Sequence, residues 1–190
     1  MANYTASDVK TLRERSGAGM MDCKAALDEA DGNLDKAMEV LRLKGLKGVT
    51  KREGRATSNG IVVARVSGGT GYLVELACET DFVAKADKFV ALGDVIADAI
   101  VAAGATTLEA ALAATAGSKT VADAITDEAA IMGEKVELRR ISVVADDSVD
   151  AYLHRTSKDL PPQVGVLVAF KGADKDTAHD VAVHIAALFS

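Results

Sequence analysis

Side chains able to do chemistry crowd into one short stretch, Cys78-Glu79-Thr80-Asp81-Phe82-Val83-Ala84-Lys85. A thiol, two carboxylates and a hydroxyl in sequence first suggest nucleophilic or acid–base catalysis. Acidic neighbours, however, favour the protonated thiol over the thiolate, which works against a cysteine nucleophile. The stretch also follows the apolar run Tyr72–Ala77, which reads as a strand, and strands commonly end in turns built from Gly, Asn or Pro. Phe82 beside Asp81 has a different logic. An aromatic anchor next to a charge is the usual make-up of a protein–protein hot spot. The competing reading is that Phe82 folds back as a staple on its own helix.

Other candidates for chemistry are thin. His154, His179 and His184 show neither HExxH spacing nor a partner CxxC, so no metal site is expected. His184 stands at helical spacing from Val181 and Leu188, which places it on a packed face. His154 precedes a loop containing Pro161-Pro162 and is expected near the surface. Gly68-Gly69-Thr70-Gly71 lacks the lysine of a phosphate-binding loop and is followed by a strand, so it reads as a hairpin turn. The adjacent Met20 and Met21 cannot both enter one helical core. One is expected in the core and the other at the surface, where methionine suits adaptable contacts. No cofactor is implied.

The chain that must position these groups has 190 residues, 49% hydrophobic but only 4% aromatic, without Trp. That is enough for one medium domain or two small ones, with cores carried by Ala and Val. The net charge of −6 argues against a general nucleic-acid binder. It is unevenly spread, with +2 over residues 1–55 and −8 over residues 56–190. Two distant cysteines, no signal peptide at MANYTASD, and the interruption of the most apolar region, 89–103, by Asp94 and Asp98 lead to expectations of no membrane and a cytoplasmic location.

Periodicity divides the chain into an N-terminal three-helix module (1–44), a basic linker (45–59), a first core half (60–145) and a second, incomplete core half (146–190). Ser7 is expected to cap the first helix, with Val9 and Leu12 inward and Gly17-Ala18-Gly19 breaking it. The second helix aligns Met20, Cys23 and Leu27, and the third Leu34, Ala37, Met38 and Leu41. KGLKGVTKREGR, 44–55, carries three internal glycines and no apolar period, and reads as a solvated hinge. GIVVARVS and GYLVELA form a hairpin, and helices are expected with Phe89, Leu92, Ile96 and Ile100 or Ala103 inward, then over 108–114 and 121–131. Residues 134–144 alternate as a half-buried strand. The fold class is α+β.

The core repeats itself. Gly71-Tyr-Leu-Val-Glu-Leu76 matches Gly165-Val-Leu-Val-Ala-Phe170 at an offset of 94, and Asp94-Val-Ile-Ala-Asp-Ala matches Asp180-Val-Ala-Val-His-Ile. The first copy carries about eight more residues between these landmarks, coinciding with the Asp81-Phe82 segment. A fold that closes its second copy without that segment does not need it in the first. The second copy has no counterpart of the strand at 134–144, so a two-stranded sheet with one helix, an open edge and a thinly covered apolar face is expected.

LRERSGAGMMDCKAAL (12–27), the basic linker, ELACETDFVAK (75–85), MGEKVELRRISVV, QVGVLVAFKGAD and HIAA together resemble the translation elongation factor Ts family of bacteria and organelles, over nearly the whole chain. The resemblance implies an N-terminal module of the ubiquitin-associated type and a core of two related α/β halves. It implies a guanine-nucleotide exchange factor, not an enzyme, that meets elongation factor Tu in its GDP-bound and nucleotide-free forms and makes no direct nucleic-acid contact. The loop Thr80, Asp81, Phe82, Val83 would insert near the magnesium and phosphate site of Tu. Arg13, Met20 and Met21 would add contacts from the module, Met132 and Gly133 from a turn, and His154 and His184 from the second half. The extra SKDLPP after His154 departs from the family spacing. The family continues past HIAA into a helical insertion and a closing strand, so a shortened chain with weaker Tu binding and poorer solubility is expected. The rival class is a non-exchanging interaction protein that binds a partner only through the N-terminal module.

Overall fold

The structure, a computed structural model, describes residues 3–16, 18–172 and 174–189. The expected break at Gly17 and the chain end at Ser190 lie outside the described residues. The chain divides into two compact units, residues 1–55 with 126–135, and residues 56–125 with 136–190.

In the first unit, α1 (Ala6–Ser16), α2 (Met20–Glu29) and α3 (Leu34–Arg52) bury Leu12, Cys23, Ala26, Leu27, Ala30 and Ala37 in one cluster. The cap of α1 is Thr5, not Ser7. The Asp8 amide donates to Thr5 Oγ1 (3.3 Å), and the Thr5 amide to Asp8 Oδ2 (2.7 Å). This reciprocal arrangement satisfies two backbone donors, which a lone serine two residues further along cannot do. Asn33 caps α3, accepting from the Lys36 amide at 2.9 Å.

The stretch expected to be a hinge is helical through Arg52. One of its glycines, Gly45, has a packing role. A Cβ on Gly45 would stand 2.5 Å from the carbonyl oxygen of Ala130. The missing side chain therefore lets α3 approach the residues around Ala130 closely. Arg42 ties the same two segments together through Asp127 (3.1 Å) while also holding Glu39 (2.8 Å). A sequence without apolar periodicity can still be helical when tertiary contacts supply the stability.

The second unit has four layers. β1 (Asn59–Ser67), β2 (Thr70–Cys78) and β5 (Val136–Ala145) form an antiparallel sheet in the order β1-β2-β5; the hairpin expected over 68–71 turns at 68–69 alone, since Thr70 and Gly71 already pair in β2. One face carries Ile61, Val63, Val74 and Leu76 against α5 (Asp87–Ala103), whose buried residues include Phe89, Leu92, Ile96 and Ile100. Between α4 (Asp81–Ala84) and β5 also lie α6 (Leu108–Ala113), the two-residue strands β3 (Thr115–Ala116) and β4 (Lys119–Thr120), and α7 (Val121–Met132), which the two units divide at Thr126. β6 (Ser148–His154) and β7 (Val164–Phe170) form a second antiparallel sheet, with α8 (Lys175–Ala187) on its outer face.

The inner face of the second sheet is not thinly covered, because it stacks on the first. The matched glycines of the repeat explain how. A Cβ on Gly71 would meet Val149 (2.6 Å) and Leu167 (3.1 Å), and one on Gly165 would meet Val62 (2.7 Å) and Leu73 (2.8 Å). Leu73 and Leu167 are themselves equivalent at the offset of 94. Each copy thus inserts its leucine over the other's glycine, a reciprocal packing that brings the two sheets close. β7 pairs with β6 alone among the described residues, whereas β2 is paired on both sides.

The packed face of α8 also differs from expectation. Ala178, Ala182 and Ala186 are buried, while Val181 and Leu188 are exposed, and His184 is exposed with them. The valine, histidine and leucine at helical spacing do mark one face of the helix. It is the outward one, because alanines let the helix sit closer to the sheet than branched side chains would.

A candidate partner-binding loop and its setting

The eight-residue surplus is spread over three elements. Between the landmarks the strand is two residues longer in the first copy, the connection four, and the part of the helix before Asp94 two longer than that before Asp180. The four added to the connection accommodate α4, a single turn that holds Phe82 outward.

The mount of α4 is built from both flanks. The Cys78 thiol is buried and donates to the Thr80 carbonyl (3.3 Å), and the Asn59 side-chain amide donates to the Glu79 carbonyl (3.0 Å). The Thr80 hydroxyl accepts from the Val83 amide (3.4 Å), and the Ala84 amide bonds the Thr80 carbonyl (3.2 Å). Ala84, fully buried, anchors the turn on the inside. The cysteine thus has a structural hydrogen bond and no access, which disposes of the thiol-nucleophile reading.

Phe82 is 73% exposed, so it does not tuck back as a staple. The cation of Lys85 stands 4.6 Å from its ring centroid and 3.4 Å from Asp81 Oδ2. Asp81 and Val83 are partly buried on either side. Lys85 had no role in the sequence reading, although an acidic residue four positions before a lysine on a helical turn signals such a pair. Chemically the arrangement is a presented aromatic with a carboxylate beside it, and it contains no proton relay.

Of the remaining expected contact residues, Arg13, Met20, Met21, Met132 and Gly133 all belong to the first unit. Met20 and Met21 are both exposed, by 57% and 76%, so neither enters the helical core. The reason is local: α2 begins at Met20, and its buried stripe starts one turn later with Cys23, Ala26 and Leu27. Gly19, Met132 and Gly133 line one cleft of about 460 Å³ together with Asp22, Met38 and Arg42. In the second unit His154 is half-buried and its Nδ1 lies 3.2 Å from the Tyr152 hydroxyl. His179 pairs instead with the buried Asp150 (3.0 Å), an interaction that joins α8 to β6 and had no sequence signal. His184 has no part in that cluster.

Among the described residues, no group of three or more His, Cys, Asp or Glu side chains could hold a metal ion. No described helix is long and apolar enough to cross a membrane.

A family profile described as "Elongation factor TS" matches residues 79–189, beginning at the mounted loop. The "Elongation factor Ts" of Micrococcus luteus is 60% identical over 190 residues, covering 98% of this chain and 68% of the relative. That of Kocuria rhizophila is 60% identical over 189 residues, covering 99% and 68%. That of Leifsonia xyli subsp. xyli is 61% identical over 186 residues, covering 97% and 67%. Identity at this level across both units, together with the three N-terminal helices and the small antiparallel sheets, makes the chain a member of the elongation factor Ts family of translation elongation factors.

Proposed function

We propose that this protein is a guanine-nucleotide exchange factor for elongation factor Tu, acting on the GDP-bound form and holding the nucleotide-free form. The supporting observation is Phe82, 73% exposed on a turn that hydrogen bonds fix from both sides. A single exposed apolar residue is ordinary on a protein surface, but an aromatic held outward on a hydrogen-bonded turn beside a charge matches the make-up of an interface anchor.

In this reading Thr80 starts the turn, Asp81 and Phe82 enter Tu near its magnesium and phosphate site, and Val83 completes the inserted loop. Arg13, Met20, Met21, Met132 and Gly133 widen the contact, and His154 and His184 meet a further part of Tu. No catalytic group and no cofactor of its own is needed. An exchange factor binds nucleotide-free partner more tightly than nucleotide-bound partner, and reciprocity weakens the nucleotide by the same factor. A rate gain of roughly 10⁴ requires lowering the dissociation barrier by about 5.5 kcal/mol. Burying one phenylalanine yields only about 1.5–3 kcal/mol. Disrupted magnesium and phosphate contacts in Tu must supply the remainder, and the wider surface holds the complex together.

The test is release of fluorescent GDP from Mg²⁺-loaded Tu in the presence of this chain and of its Phe82→Ala form. Acceleration by the parent with a clear loss in the variant is expected. Binding of Tu without any acceleration by the parent would establish the rival, a non-exchanging interaction protein.

A further inference from the structure

An exposed aromatic side chain has two free torsions, and any partner that receives it must first find it in the right orientation. On α4 the chain itself narrows the choice. Phe82 is 73% exposed, and the contact recorded for its ring is the Lys85 ammonium, 4.6 Å from the centroid. The same ammonium reaches Asp81 Oδ2 at 3.4 Å, one helical turn back. One cation therefore bridges the two side chains that the proposed exchange loop presents. The geometry points to Lys85 as a positioning residue that fixes Phe82 and Asp81 in one mutual arrangement before the partner arrives. This inference rests on the exchange reading and adds a residue to it.

The physics sets both the size and the sign. A cation over an exposed ring and an exposed ion pair one turn apart are each weak. Acting together through one ammonium they bias the loop by about three- to fivefold in population. α4 has only one turn, with a threonine cap and one buried alanine, so a contact between side chains weighs more in it than in a longer helix. A bias in the free protein enters the apparent affinity, since a partner binds only the competent fraction. It leaves the rate within the assembled complex unchanged. The lysine thus acts on half-saturation and not on maximal rate.

Both levels are tested with the full chain. In the free protein, NMR should find the Lys85 ε-methylene protons shifted upfield by the Phe82 ring current, and shifted back to ordinary positions by Phe82→Ala. In the release assay, Lys85→Met keeps the stem and removes the charge. It should raise the concentration of exchange factor giving half-maximal GDP release about three- to fivefold. Maximal release should be unchanged, and Lys85→Arg should restore the parent value. Ordinary Lys85 shifts in the parent, an unchanged half-saturation in Lys85→Met, or a faster release by that variant would each overturn the positioning role while leaving the exchange reading intact. A parent without any effect on GDP release would overturn the exchange reading and the functional role of Lys85 with it, whatever the spectra show.

Discussion

The two strand–strand–helix copies solve the same packing problem with different materials. In the first, α5 buries Phe89, Leu92, Ile96 and Ile100 against a three-stranded sheet. In the second, α8 buries Ala178, Ala182 and Ala186 against two strands. The first copy has eight residues between strand and helix and folds four of them into α4, while the second makes the same connection in four. The comparison separates two roles that sequence places seven residues apart. Phe89 is wholly buried and belongs to the fold, and Phe82 is open to solvent on an element that the other copy lacks. An element dispensable to the architecture that holds an aromatic outward is where function is to be sought.

Phe89→Ala probes the first copy's dependence on large side chains and should give the largest effect. It removes a fully buried ring and should lower stability by about 3–5 kcal/mol in chemical denaturation. A loss comparable to that of a surface substitution would contradict the account of α5. The reciprocal leucine-over-glycine packing is probed by Gly71→Ala and Gly165→Ala measured side by side. Each should cost about 1–3 kcal/mol through overpacking, and by similar amounts. A large cost at one position with none at the other would break the equivalence of the copies.

The contrast in buried side chains also predicts an order of opening. Amides of α8 should exchange at least about tenfold faster than those of α5 under native conditions, since local stability follows buried apolar contact. Equal protection would mean that the alanine face and the Asp150–His179 pair hold α8 as firmly as aromatic packing holds α5. Phe82→Ala should change global stability by no more than about 0.5 kcal/mol, the complement of its expected loss of exchange. A substantial loss of stability would return Phe82 to the core.

The smallest effect concerns acid. Asp174 caps α8, accepting from the Thr177 hydroxyl (2.6 Å) and amide (3.0 Å), and these bonds hold its carboxyl below the ordinary value. The folded value being the lower, the cap contributes fully above the unfolded value and is lost as pH falls through the folded one. In the first copy α4 is capped by Thr80, which has no charge to lose in acid, and α5 has no side-chain cap at all. Amide exchange in α8 should therefore accelerate below about pH 4 before that in α5 does. Asp174→Asn should flatten the response of α8, and an unaltered response would assign it elsewhere.

Most of the architecture could be read before any coordinates were considered. Helix and strand periods, the hairpin turn within 68–71, the repeat at an offset of 94 and the oddity of Phe82 are all patterns in the sequence itself. Local chemistry carries such signals directly. The hinge at 44–55 and the placement of His184 were misread for one shared reason. Glycine in a helix and a polar residue among apolar ones each admit two environments, and only the opposing surface chooses between them. Gly45 is helical because Ala130 stands against it, and His184 faces outward because alanines claim the inner face of α8.

The sequence by itself therefore determined the longer helices and strands, their order and the residues worth suspecting, but not the helical continuation to Arg52 or the single turn α4. Tertiary structure decided which face of α8 is buried, that both methionines at the start of α2 are exposed, and that the sheets stack glycine against leucine. It also decided that one lysine bridges Asp81 and Phe82. Each of these is a relation between groups whose distance is set by packing, and packing is a property of surfaces that meet only after the chain has folded.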